Sequence, residues 1–93
     1  MYRIVLACAC VSPEAAVEAA QDITEEFKNR PWHSNVRCEW DGKRLVLRAE
    51  NDFDSGGLAL SDEFSDSISA YIAQPIDGEI EIVSITTFPD PAN

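Results

Sequence analysis

Three groups of side chains are of the types that do chemistry. Asp52, Asp54 and Glu63 bracket the turn-forming pair Gly56-Gly57, and carboxylates so spaced could ligate a hard divalent cation. Cys8 and Cys10 lie two residues apart, and as thiolates they would suit a soft metal. His33, the single histidine, would need a partner to orient its ring before acting as a general base. Ser55, Ser61, Ser65 and Ser67 have local capping or surface explanations. Gly56-Gly57 before a helix could hold an anion, but Asp52 and Asp54 would repel it.

With Asp52 as position 1, acids fall at positions 1 and 3, a glycine at 6 and Glu63 at 12. This spacing resembles an EF-hand calcium loop. It departs from one at position 5, where Gly56 offers no side-chain oxygen, and in the strand that leads into it. The segment therefore reads first as a strand-to-helix connection, with Asp and Gly used for their turn chemistry, and no bound metal is expected. Cys8-Ala9-Cys10 stands where the first strand runs into the first helix. That location is similar to the one at which heavy-metal-associated domains hold soft metal with two cysteines, and the resemblance implies a ferredoxin-like fold. Their cysteines follow a C-x-x-C pattern, whereas these are C-x-C. Free cysteines are among the most buried residues, so core packing is the expectation. No catalytic residue and no cofactor is assigned.

Charge sets further limits. The net charge is −10, carried unevenly: all seven Lys/Arg precede Ala49, together with seven acids, while ten acids and no base follow. Such a field disfavours nucleic acid and anionic membrane and leaves room for a basic protein partner. The longest apolar run, Ile4 to Val11, is far below the roughly 20 residues of a membrane span. Val5-Leu6-Ala7-Cys8 loosely resembles a lipobox, but the apolar stretch between Arg3 and Ala7-Cys8 is only Ile4, Val5 and Leu6, short of the roughly 7–15 residues of an export signal. Three cysteines without such a signal suit reduced thiols and a cytoplasmic protein.

Periodicity supplies the elements that position these residues. Tyr2 to Val11 is apolar on both faces, as a central strand is. Ser12-Pro13-Glu14 predicts a helix start, followed by an apolar stripe of Val17, Ala20, Ile23, Thr24 and Phe27 that ends before Pro31. Asn35 to Trp40 and Lys43 to Glu50 alternate around a two-residue Asp41-Gly42 turn. A second helix is expected with Ser61 as its cap and Phe64, Ile68, Tyr71 and Ile72 on one stripe, closed by Pro75 and Gly78. Glu79 to Phe88 is the last strand.

The order βαββαβ predicts a ferredoxin-like α+β fold over residues 1–88, with 89–93 as a tail. Right-handed crossovers give a four-stranded antiparallel sheet, order 4-1-3-2, with both helices on one face. The other face is expected to gather Val5, Ala7, Ala9 and Val46 at its centre. Arg3, Arg37, Arg48, Glu39 and Glu50 would ring them, and the last strand would add Glu79, Glu81, Val83 and Ile85. An apolar centre with a charged rim is interface composition. The expectation is a binding module that forms a homodimer through Val5, Ala7, Ala9 and Val46, with no catalytic chemistry evident. The alternatives are a ligand-binding enzyme or sensor of the dimeric α+β barrel type, or a metal-binding module.

Overall fold

In a computed structural model of the chain, residues 1–72 and 78–89 are described. The element order is β1 (Tyr2–Cys8), α1 (Pro13–Phe27), β2 (Ser34–Trp40), β3 (Leu45–Asn51), α2 (Leu58–Tyr71) and β4 (Ile80–Thr87). The sheet runs β2-β3-β1-β4 with every pair antiparallel, the expected 4-1-3-2 order. This is a ferredoxin-like α+β arrangement. Pro75 and residues 90–93 of the expected tail lie outside the described residues.

The core forms between the sheet and the helices. Ile4 and Leu6 of β1 and Leu45, Leu47 and Ala49 of β3 are wholly enclosed, and they meet Ala16, Ile23 and Phe27 of α1 and Leu60 and Phe64 of α2. Large side chains at this density resist truncation, because a cavity forfeits contacts that nothing replaces. Thr24 ties α1 to the edge strand: its hydroxyl donates to the Ala20 carbonyl at 2.8 Å and accepts from the Cys38 N–H at 3.0 Å.

Several expected details are corrected. The buried stripe of α1 is Ala16, Ala19, Ala20, Ile23 and Phe27, and Val17 faces solvent. The hairpin turn is displaced by one residue: Trp40 pairs with Leu45 and the Asp41 N–H bonds to the Arg44 carbonyl at 3.1 Å, leaving Gly42 and Lys43 at the tip. The Asp41 carboxylate accepts from the N–H groups of Lys43 and Arg44 at 2.8 and 2.7 Å. Those bonds favour the charged carboxylate and hold its pKa below the usual range. Helix α2 starts three residues before Ser61, at Leu58 after a left-handed Gly57 (φ 72°), and Tyr71 is exposed.

Strand β4 carries a bulge. Val5 pairs with Ser84 but Leu6 with Ile82, so Val83 has no partner in the ladder. One extra residue flips every later side chain to the opposite face. Ile85, expected on the open face, is thereby opposite Ile4 and packs on the core. Gly78 precedes the strand because a Cβ there would stand 2.6 Å from the Ala9 carbonyl oxygen.

Candidate functional site

At the end of the sheet where β2 begins and β3 ends, polar side chains from four segments converge. The turn after α1 carries Arg30, Trp32 and His33; β3 ends in Asn51; α1 contributes Glu26 and α2 contributes Glu63. Tight turns place the first three, with the Arg30 N–H bonded to the Phe27 carbonyl and the His33 N–H to the Arg30 carbonyl. Glu63 accepts from Arg30 Nη1 and Trp32 Nε1, each 3.0 Å from Oε1, and its Oε2 lies 2.6 Å from His33 Nε2. Arg30 also grips Glu26 with two bonds of 3.1 and 2.8 Å. Ser67 Oγ donates to the same Glu26 carboxylate at 3.2 Å. Hydrogen bonding to Glu26, with a smaller share from Glu63, raises the Arg30 pKa above its ordinary value.

The tautomer of His33 follows from this network. Asn51 Oδ1 accepts from the N–H groups of Phe53 and Asp54 at 3.2 and 2.9 Å. Its Nδ2 therefore faces His33 Nδ1 at 3.2 Å, which must accept. That leaves Nε2 as the protonated nitrogen, donating to Glu63. A carboxylate and an amide thus orient the imidazole, as a general base would require. The ring is 0% exposed in its side chain, however, and the nearby Ser67 hydroxyl is turned to Glu26. The cluster is a buried scaffold, with its aromatic neighbours at the surface. Trp32 and Phe53 each lie 6.0 Å from the His33 ring between centroids and are 49% and 51% exposed.

The three carboxylates singled out as a cation loop are not brought together. Asp54 caps α2, accepting from the N–H groups of Ala59 and Leu60 at 3.2 and 2.9 Å. Glu63 faces the His33 cluster, and Asp52 is in solvent. Among the described residues no three His, Cys, Asp or Glu gather as metal ligands. The cysteines are free and buried. Cys8 turns its thiol to the Gly78 carbonyl and Cys10 to that of Cys8. Burial raises the pKa of Cys8 and of Cys10, and pushes Cys38 up to about 12. All three are protonated thiols at neutral pH, poorly suited to metal ligation.

The open sheet face carries an apolar centre, altered from expectation. Val5 and Val46 are half-buried and Ala9 is exposed. Ala7 is only 1% exposed, because it lies between Val46 and Glu81, where Arg44 reaches Glu81 at 3.1 Å across β1. The rim charges are paired within the chain, as Arg3–Glu50 at 2.7 Å and Arg37 with Glu39. Glu50 also accepts from Asn35 at 2.7 Å. Among the described residues, Arg48 is the one base of this face without an ion-pair partner.

Two shallow clefts of about 550 and 540 Å³ flank the helices. The first lies between α2 and β4, lined by Cys8, Cys10, Ser61, Ser65 and Ile80. The second lies between α1 and β2, at Thr24, Arg37 and Cys38. Neither is lined by Trp40, His33 or Tyr71. No helix among the described residues is long and apolar enough to cross a membrane. No family model, curated protein or solved structure matches this chain.

Sequence reasoning missed the His33–Glu63 pair because thirty residues separate the two. One signal could have found it. In a βαββαβ order the first helix ends, and the second begins, at the same edge of the domain. A lone histidine after α1 and a glutamate in the first turns of α2 are neighbours by topology.

Proposed function

We propose that this chain is a small interaction module that works as a homodimer, sheet face against sheet face, in a reducing, cytoplasmic compartment. The observation that carries this reading is the state of the open face. Among the described residues no helix covers it, its centre is Val5 and Val46, and its rim bases other than Arg48 are already paired within the chain. Burying such a face strands no rim base but Arg48, and a stranded charge is what costs most when charged groups leave water. A two-fold axis needs a patch that complements itself, and small side chains at the centre with mixed charge around them meet that need. Arg48, unpaired within its own chain, would find a carboxylate across the axis and set orientation more than affinity. Ala7 supports the interface from beneath the Arg44–Glu81 pair, while Val5, Ala9 and Val46 make contact. Three buried thiols support the reducing compartment.

Sedimentation at micromolar concentration tests the reading. The wild type should run as a dimer. Val46→Glu should run as a folded monomer, because a carboxylate at the centre would be desolvated without a partner. A monomeric wild type, or a dimer indifferent to Val46→Glu, overturns the reading.

A further inference from the structure

We propose that Trp32 and Phe53 form a docking surface for a basic segment of another protein, with arginine or lysine side chains seated on the two rings. These aromatics are the anomaly of the surface. Single exposed apolar residues need no explanation, but here a tryptophan and a phenylalanine, both half exposed, are packed against the same buried histidine. Leu58, at the start of α2, adds an exposed leucine five residues after Phe53.

Both rings are held in place. Trp32 is fixed by its Nε1–H bond to Glu63. Phe53 is fixed by stacking on His33 at 27° and by the bond from its own N–H to Asn51. Rigid aromatic side chains over a satisfied polar layer are what binding hot spots are made of, since little entropy remains to be lost on docking.

Charge selects the partner. The bases near the patch are engaged: Arg30 with Glu26 and Glu63, Lys28 with Glu25. Asp52, beside Phe53 in the chain, is exposed and makes no ion pair among the described residues. A cation is attracted to the face of an indole or phenyl ring, and the carboxylate of Asp52 and the net charge of −10 reinforce that attraction. A nucleic acid could stack on the same rings, but a chain of net charge −10 opposes the phosphates.

The test is a titration of the full chain with a capped peptide of alternating arginine and glycine, read from the Trp32 indole N–H resonance. A glutamate–glycine peptide and a uridine oligonucleotide are titrated in parallel. The arginine peptide should bind and shift that resonance while the other two do not. Binding should weaken about tenfold or more in Trp32→Ala and, independently, in Phe53→Ala, and a fewfold in Asp52→Asn. Circular dichroism confirms that each variant is folded. If Trp32→Ala loses structure, Phe53→Ala decides alone, because Phe53 donates no side-chain hydrogen bond. Failure to bind, preference for the oligonucleotide, or arginine-peptide binding that ignores both aromatic substitutions overturns the proposal. Because Val46 lies on the sheet face, Val46→Glu should leave peptide binding intact, so this inference stands or falls apart from the dimer.

Discussion

Glu63 is where single-residue energetics concentrate. One carboxylate, 16% exposed, accepts from an arginine, a tryptophan and a histidine. Replacing it by glutamine removes the charge and turns an amide N–H₂ toward at least one donor. Glu63→Gln should therefore destabilise by about 2–4 kcal/mol, the range for breaking a buried charge-assisted network. Glu25→Gln, which opens an exposed pair with Lys28, should cost under ~0.5 kcal/mol. Urea denaturation of the two variants checks the contrast. Glu50 gives a pH signature at the same scale. Bonds from Asn35, and then from Arg3, hold its pKa below the ordinary 4.5. A depressed folded-state value means that its contribution is complete above the ordinary value and is lost as pH falls through the lower one. Wild-type stability should thus decline below pH 4.5, and Glu50→Gln should flatten that decline in a series of urea midpoints.

At the scale of elements, α2 depends on a residue outside it. Asp54 bonds two N–H groups of the first turn, and the left-handed Gly57 brings them within reach. Asp54→Ala should cost about 1–2 kcal/mol, measured as a lower urea midpoint with native secondary structure retained. The sequence pattern pointed to Ser61 as cap because hydroxyls precede helices, yet a carboxylate four residues before the helix does the work. This is the general limit of what could be read in advance. Strand order, helix number and the helix-covered face were legible, because alternation and a 3.6-residue period are local properties. The bulge at Val83 was not, since an extra residue in β4 is visible only against the register of β1, and it alone moved Ile85 to the core side. Asp52, Asp54 and Glu63 matched a spacing, but their partners are set by tertiary proximity. For the same reason His33 appeared to lack a partner. That Trp32 and Phe53 lie half exposed could not be read in advance, because exposure is a property of the folded surface.

For the whole molecule, charge imbalance governs the response to salt, and the two proposed binding surfaces should respond with opposite signs. Five of the seven bases sit in ion pairs: Arg3, Lys28, Arg30, Arg37 and Arg44. Glu14, Glu18, Asp22, Asp52, Asp62, Asp66 and Glu79 make no ion pair among the described residues. Exposed pairs contribute little each, whereas a net charge of −10 loads the compact state with self-repulsion. Repulsion should win, and screening relieves it over a Debye length that shrinks from roughly 10 Å at 0.1 M ionic strength to about 3 Å at 1 M. Sodium chloride raised from 0.05 to ~0.5 M should therefore increase the urea midpoint, and it should tighten the proposed homodimer, because two acidic copies repel less. The same salt should weaken an arginine peptide on Trp32 and Phe53, where unlike charges attract. Measuring all three over one salt series checks the signs together. A midpoint that falls with salt would mean that the intrachain pairs outweigh the excess of acids, and a peptide affinity that rises would mean that the aromatic surface captures its partner without help from charge.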